Sequence, residues 1–248
     1  KEISFGTSIM PLYFRQVVDF ASTASFVHEI SDGRFRFGIG VSHGTMLESR
    51  GLASGKPLFD TRKFVEDLRN APRVGELPPI ILATLRKKMI ALAEEIGQGM
   101  VFANGARSHM QESLSVLSDE TRVNDDFFIG DMIPTCISND VEAAKAVNRK
   151  TLTSYAFLPN YRNYWKEAGY VEEMEGLEQC LADGDVDRVS HFLTDKWLAD
   201  TTLFGTASQV REGVEAWFDA GVKVPILVPS SANGGQMVAF EELFAIFE

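Results

Sequence analysis

The feature that most constrains this fold is a recurring unit of an amphipathic helix, a glycine turn and an apolar strand. The clearest copy begins at Thr206, a predicted N-cap whose capping-box partner is Gln209. Apolar residues then recur at helical spacing up to the predicted C-cap Gly221. The run 222–228 that follows is apolar and β-branched, which favours a strand buried on both faces of a parallel sheet.

Two further copies occupy residues 15–41 and 86–102. Strands that alternate with helices of this length predict parallel βαβ units and therefore an α/β fold. The predicted strands are residues 3–9, 34–41, 79–83, 99–103, 126–132 and 223–229.

Residues 155–205 break this pattern with crowded aromatic residues followed by two acidic helical stretches. They predict a helical insertion rather than another βα unit. Because we find no linker rich in Gly, Ser or Pro, we expect residues 1–248 to form a single domain. The length of 248 residues is close to that of a typical (β/α)8 barrel.

The charge and the cysteine content of the chain limit its expected partners and cellular location. The chain has 24 Lys and Arg against 35 Asp and Glu, a net charge of −11, which argues against a nucleic-acid partner or an anionic membrane. We find no apolar run of bilayer length and no signal peptide, so we expect a cytoplasmic protein. Cys136 and Cys180 lack metal-ligand spacing and are expected to be reduced thiols, and we predict no metal site.

Generic catalytic motifs such as GxSxG, HExxH and the Walker A loop are absent from the sequence. The stretch 38–44 is similar to a dinucleotide fingerprint, but its third glycine comes one residue late. Polar residues instead follow the predicted strands, at the ends where parallel α/β folds bind ligands.

The segment Thr84 to Lys88 makes the strongest physical case for a binding site. It joins a predicted strand directly to a predicted helix and carries the cations Arg86, Lys87 and Lys88. Free amides at a helix N-terminus together with cationic side chains are typical of a phosphate site. The alternative is that these are helix-start residues with solvated basic side chains.

Residues 6–9 and 31–44 resemble the luciferase-like monooxygenase superfamily, whose hallmark is a "GR…LGxG" strand after a helix rich in alanine and threonine. Residues 79–84 with 91–99 resemble its phosphate-loop strand, helix and turn, and residues 204–210 with 220–222 resemble its closing "GTPEEV…AGV" unit. The matches stand in the family's order and cover nearly the whole chain apart from parts of the insertion.

The resemblance implies a TIM-type (β/α)8 barrel with an insertion before the last helix–strand unit. By the match, residues 3–9 correspond to the third barrel strand, so the first two βα units are expected to be lacking. The implied activity is that of a flavin-dependent oxidoreductase or monooxygenase, which uses reduced FMN or the deazaflavin coenzyme F420 on a small organic substrate. The alternative is a non-catalytic or incomplete homologue that needs a partner or the missing N-terminal segment. Family members often form dimers, so a homodimer is a further expectation.

The resemblance also assigns roles to residues. The first strand end backs the cofactor ring and in many members contains a non-prolyl cis peptide, whereas the loop 83–88 matches the phosphate loop without its usual glycines. The predicted cofactor-binding residues are Thr7, Ser8, Ile9, Gly40, Val41, Ser42, Ala83, Thr84, Leu85, Arg86, Lys87, Lys88 and Asn104.

His43 is the candidate acid or base, because it follows a strand end and histidine titrates near neutrality. The alternative is a hydrogen-bonded loop histidine. Tyr155 and Tyr161 are candidate residues of a substrate pocket, with packing of the insertion helices as the alternative.

Overall fold

A computed structural model of the chain describes residues 2–53 and 55–247. The chain divides into two compact units. Unit 1 comprises the residues up to 102 together with 114–129. Unit 2 comprises residues 103–113 and the residues from 130 onward.

Unit 1 contains short parallel strands and the helices that follow them. Its strands are β1 (Phe5–Gly6), β2 (Met10–Pro11), β3 (Phe35–Gly40), β4 (Ile80–Ala83) and β5 (Gly99–Ala103), the last residue of which belongs to unit 2. Its helices are α1 (Val17–Ile30), α2 (Gly44–Ser49), α3 (Pro57–Arg69) and α4 (Lys87–Ile96). Helix α5 (Met110–Leu114) ends at the unit boundary, and α6 (Asp119–Val123) lies in unit 1.

Strand β3 pairs in parallel with β1, β2 and β4, and β4 pairs in parallel with β5. The prediction of one continuous strand over residues 3–9 was wrong, because the chain forms β1 and β2 with a break between them. At the break, the Thr7 hydroxyl donates to the Gly38 carbonyl oxygen at 2.7 Å. A side chain therefore takes the acceptor that a continuous ladder would offer to a backbone amide.

Glycines in β3 allow the neighbouring backbones to approach closely. A Cβ on Gly38 would lie 1.9 Å from the Thr7 carbonyl oxygen. A Cβ on Gly40 would lie 2.7 Å from the Cβ of Ala83 and 3.0 Å from Cδ1 of Ile9. All three distances are shorter than ordinary contacts, so Thr7, Ile9 and Ala83 can lie this close to β3 only because Gly38 and Gly40 carry no side chain.

The core of unit 1 forms where α1 packs on β3 and α3. The Phe20 ring lies 5.8 Å from that of Phe37 and 5.5 Å from that of Phe64, measured between centroids. Phe20, Ala21 and Ala24 are buried, as the helical periodicity of α1 predicted. This packing fixes the helix that precedes β3 and so sets the position of the strand.

Unit 2 contains β6 (Phe128–Ile137, whose first two residues belong to unit 1), β7 (Leu203–Gly205) and β8 (Val224–Ser230). Both β7 and β8 pair in parallel with β6. Strand β7 was not predicted, and β6 continues five residues beyond the predicted end. The helices are α7 (Val141–Ala156), α8 (Pro159–Glu167), α9 (Val171–Asp183), α10 (Asp195–Thr201), α11 (Ala207–Asp219) and α12 (Gln236–Ala245), with 3₁₀ turns at Arg107–His109 and Val186–Phe192.

The predicted helix start at Thr206 is confirmed. The Thr206 hydroxyl accepts from the Gln209 amide, and the Gln209 side chain accepts from the Thr206 amide at 2.8 Å. The indole rings of Trp197 and Trp217 are buried in unit 2, as expected for core residues. Across the two described stretches of chain, every helix is too short or too polar to span a bilayer.

Gly38→Ala is expected to destabilise the protein by about 3 kcal/mol or more, because the new methyl group meets a backbone oxygen that cannot rotate away. Urea unfolding measures the loss. Gly235→Ala is the matched control, since a Cβ there meets nothing within 4 Å. Equal stability of the two variants would contradict the close approach at β3.

Candidate functional site

The junction between β4 and α4 has the features of an anion site. Thr84 is buried, and its amide donates to the Val101 carbonyl at 2.8 Å. Within the described residues, the buried Thr84 hydroxyl has no hydrogen-bond partner. Helix α4 starts directly afterwards with Arg86 as its N-cap, and arginine has no acceptor atom with which to satisfy the first helical amides.

The predicted cations lie around this helix start. Arg86, Lys87 and Lys88 are all exposed to solvent. Their charges add to the positive end of the helix dipole, and this combination favours a phosphate or another anion. The solvated-helix alternative explains the exposed side chains but leaves the buried Thr84 hydroxyl without a role.

The ends of β2, β3 and β4 meet beside this junction. Gly40 lies against Ile9, which directly precedes β2, and against Ala83, the last residue of β4. The peptide bond between Ser8 and Ile9 is cis, which is the feature that the family resemblance implied. The structure therefore brings together Ile9, Gly40 and Ala83, one predicted residue from each of three segments of unit 1.

Ser42 and His43 follow β3. Ser42 adopts the left-handed conformation with φ of 62°, and its hydroxyl lies 3.2 Å from the Met46 sulfur. Non-glycine residues with this φ are uncommon and concentrate at functional sites. His43 is half-buried as the N-cap of α2, and burial lowers the pKa of its imidazole below the ordinary value of 6.5. A neutral imidazole at pH 7 can accept a proton.

Asn104 is the predicted residue that lies in unit 2. It has a φ of 56° and is 3% exposed. Its amide donates to the Met132 carbonyl at 3.0 Å, and its carbonyl accepts from the Trp165 indole at 3.1 Å. Among the residues that the structure describes, the side-chain nitrogen Nδ2 has no acceptor.

Asp131 is a buried acid that the sequence analysis did not identify. Its side chain is fully buried in β6, and Oδ1 accepts from the Gly105 amide at 3.4 Å. The other oxygen, Oδ2, has no partner among the described residues. Burial raises the pKa of this carboxyl to about 8, although hydrogen bonds from the Gly105 and Met132 amides oppose the shift. The sequence signal was a lone acid within an apolar strand.

The candidate substrate residues lie in an aromatic cluster of unit 2. The rings of Tyr155 and Tyr161 are 5.1 Å apart, and those of Tyr161 and Trp165 are 5.5 Å apart. Tyr161 is 6% exposed, and burial raises the pKa of its phenol. Tyr155 is half-buried. The contacts fit the packing alternative for Tyr161, whereas a role in substrate binding stays a prediction for both residues.

We expect the His43 imidazole to titrate below pH 6.5 because its charged form is partly desolvated. NMR titration of the ring protons measures this, with His43→Gln used to assign the signal. A midpoint at or above the ordinary value would contradict the burial described for this side chain.

Asp131→Asn is expected to remove a pH-dependent loss of stability. The folded pKa of about 8 lies above the ordinary value of 3.8, so between these values the folded protein holds a proton that the unfolded chain releases. Wild-type stability should therefore fall as the pH rises from about 4 to about 8, by up to about 1.4 kcal/mol for each pH unit, relative to the variant. Urea unfolding of both proteins across this range measures the difference, and a constant difference would contradict a protonated Asp131.

Comparisons with known proteins point to one family. The sequence model of the luciferase-like monooxygenase family matches residues 1–71 and 49–223. A putative coenzyme F420-dependent oxidoreductase of Mycobacterium tuberculosis is 23% identical in an alignment 280 residues long. The alignment covers 94% of this chain and 81% of that protein.

Solved structures show the same fold. The coenzyme F420-dependent tetrahydromethanopterin reductase from Methanopyrus kandleri has a TM-score of 0.74 at 15% identity, over 98% of this chain and 83% of that chain. The oxygenating constituent of 3,6-diketocamphane monooxygenase from Pseudomonas putida, in complex with FMN, has a TM-score of 0.53 at 15% identity, over 92% and 73%. These likenesses confirm the predicted luciferase-like barrel class. The chain belongs to the luciferase-like monooxygenase family.

Proposed function

We propose that this chain is an oxidoreductase that binds reduced FMN or the deazaflavin coenzyme F420 and acts on a small organic substrate. The observation that carries the proposal is the β4–α4 junction. There, the buried and unpartnered hydroxyl of Thr84 stands next to a helix start flanked by exposed cations. The activities for which the relatives are named support an enzyme rather than a non-catalytic homologue.

The residues of unit 1 fit such a cofactor. Thr84 to Lys88 would hold its phosphate through helix amides, the hydroxyl and cationic side chains. Ile9 is half-buried against Gly40, and this apolar side chain next to the strand ends suits a planar ring. The bound cofactor supplies the redox chemistry, and the protein binds, orients and excludes water. Asn104, in unit 2, stays a prediction from the sequence as a cofactor residue.

We propose His43 as the acid or base of the reaction. Burial favours the neutral imidazole, which accepts a proton on a ring nitrogen and can return it. We propose the Tyr155 and Tyr161 pair as part of an apolar substrate pocket, because their edge-to-face ring contact makes a rigid aromatic wall.

Two of the relatives are named as F420-dependent, so F420 is the first cofactor to test. FMN is the second, because another relative was solved in complex with FMN. We further propose a single domain, a homodimer and a cytoplasmic location without a nucleic-acid or membrane partner. The net charge of −11 and the two buried free cysteines support this setting.

The double substitution Lys87→Gln/Lys88→Gln is expected to weaken cofactor binding about tenfold, because charge-assisted hydrogen bonds to a phosphate are lost. Titration of oxidised F420 and oxidised FMN, followed by fluorescence or difference absorbance, gives the Kd. The matched control is Lys56→Gln/Lys150→Gln, which removes the same charge from exposed positions elsewhere.

The salt dependence of binding should also become shallower in the Lys87 and Lys88 variant and not in the control. Equal weakening in both double variants would show that net charge, and not the loop, attracts the cofactor. Folded wild-type protein that binds neither cofactor, in the oxidised form or in the reduced form under anaerobic conditions, would overturn the proposed function.

A further inference from the structure

The chain between β3 and α3 is connected to the end of β2 by two adjacent side chains. After β3 the chain forms α2 and reaches α3 at Pro57. We call residues 42–53 the α2 segment, which lies wholly in unit 1. The end of β2 is itself fixed on β3, because the Leu12 amide donates to the Gly40 carbonyl at 2.9 Å. The next two residues, Tyr13 and Phe14, are the ones that reach the α2 segment and its return into α3.

Phe14 holds the middle of the α2 segment. The Arg50 guanidinium lies over the Phe14 ring, with Cζ 4.7 Å from the ring centroid, which is a cation–π contact. Arg50 is the C-cap of α2, and Leu47, three residues earlier, is 2% exposed. Helix α2 is therefore packed on unit 1 through both an apolar and a charged side chain.

Tyr13 holds the place where the chain returns to α3. The Tyr13 hydroxyl donates to Oδ2 of Asp60 at 2.7 Å and accepts from the Gly55 backbone amide. Asp60 lies in the first turn of α3. A Cβ on Gly55 would lie 2.9 Å from the Tyr13 hydroxyl and still closer to Oδ2 of Asp60, so this contact needs a residue without a side chain. We call the contact of Tyr13, Gly55 and Asp60 the Tyr13 latch.

The Tyr13 hydroxyl keeps its proton across the physiological pH range. Burial, the hydrogen bond to Asp60 and the charge of Asp60 raise the pKa of the phenol to about 12, although the hydrogen bond from the Gly55 amide opposes the shift. The hydroxyl therefore acts as donor and acceptor at the same time, and the latch is not expected to open between pH 5 and pH 9.

His43 lies at the other end of the α2 segment. It is the N-cap of α2, and its carbonyl accepts from the Leu47 amide at 3.0 Å. Ser42 before it has the left-handed φ of 62°, a conformation that persists only where the surrounding structure holds it. The bond from Leu47 to His43 lies within the segment and moves with it, whereas Tyr13 and Phe14 connect the segment to the end of β2.

We propose that Tyr13 is a positioning residue, which holds the α2 segment against the end of β2 and thereby keeps the His43 imidazole in its half-buried place after β3. The inference rests on the proposed function for the role of His43, and it assigns a new residue to that site. Tyr13 contacts Gly55 and Asp60 and acts on His43 through the segment. Loss of the latch lets water reach the imidazole, which reverses its desolvation.

Tyr13→Phe tests the proposal, because it removes the hydroxyl, keeps the ring and changes no charged residue. In an NMR titration, the midpoint of the His43 ring protons should rise towards the ordinary value of 6.5, since burial lowers this pKa in the wild type. The backbone amides of residues 47–52 should exchange about fivefold faster, the effect of one hydrogen bond lost from the closed segment.

Tyr170→Phe is the matched control. The Tyr170 hydroxyl donates to Oδ2 of Asp200 at 2.8 Å, so this variant removes the same kind of hydrogen bond from unit 2. It should lower the melting temperature but leave both the His43 midpoint and the exchange of residues 47–52 as in the wild type.

Two further variants separate the latch from the charge of Asp60. Asp60→Asn keeps an acceptor for Tyr13 and removes a negative charge, so the His43 midpoint should not rise. Gly55→Ala places a methyl group in the latch, and it should raise the midpoint as Tyr13→Phe does. The double variant Tyr13→Phe/Gly55→Ala should add little to either change, because both open the same contact. If Tyr13→Phe does not fold, Gly55→Ala replaces it.

A wild-type His43 midpoint in Tyr13→Phe, an equal rise in Asp60→Asn, or an equal rise in Tyr170→Phe would each overturn the inference. Titration of the wild type with F420 and FMN, each oxidised and reduced, decides the proposed function separately. If neither binds, the proposed function fails together with the role of His43 in it. The latch is then judged by the His43 midpoint and by amide exchange, both measured without cofactor.

Discussion

The close approach of backbones at Gly38 and Gly40 is the constraint on which the candidate cofactor site depends. A side chain at either position would occupy space now taken by the Thr7 carbonyl, Ile9 or Ala83. Without that approach, the ends of β2, β3 and β4 could not meet, and the strand-end residues would not face one site. The packing of α1 on β3 through Phe20 and Phe37 holds the strand that carries both glycines. Core packing and site geometry are therefore coupled through one strand.

The cations at the start of α4 and the buried carboxyl of Asp131 differ in their electrostatic roles. The protein is acidic overall, yet Arg86, Lys87 and Lys88 form a local cationic segment at a helix start. This local charge favours a phosphate-bearing ligand although the chain as a whole is acidic. In unit 2, by contrast, Asp131 is buried with a raised pKa, so it supplies hydrogen bonds rather than charge at neutral pH. The first group contributes charge to unit 1, and the second contributes a hydrogen bond to the Gly105 amide within unit 2.

Local signals predicted much of the fold. The capping box at Thr206 and the apolar stripe of α1 depend on neighbouring residues, so the sequence reveals them directly. The break between β1 and β2 depends on a hydrogen bond from Thr7 to Gly38, 31 residues away, and sequence periodicity does not contain it. Strand β7 is three residues long, too short for an alternation pattern.

The candidate site residues also divide into those with a local sequence signal and those that depend on tertiary contacts. The positions of Gly40 and Ala83 at the ends of β3 and β4 were predictable from the strand pattern, whereas their role in binding a cofactor stays a prediction. Asp131 was missed because it belongs to no motif, and its significance comes from complete burial and from its contact with Gly105. Tyr164 and Trp165 were noted as aromatic residues, but their hydrogen bonds to the turn at Asn104 follow only from tertiary structure.

The central claim is that the strand ends and the phosphate loop of unit 1 form the cofactor site. Hydrogen–deuterium exchange of the whole chain, measured by mass spectrometry with and without saturating F420 or FMN, tests it most directly. The account predicts ligand-dependent protection in peptides that contain residues 7–9, 40–43 and 83–88, and unchanged exchange in exposed helix segments such as α6. Protection confined to other segments would contradict the account.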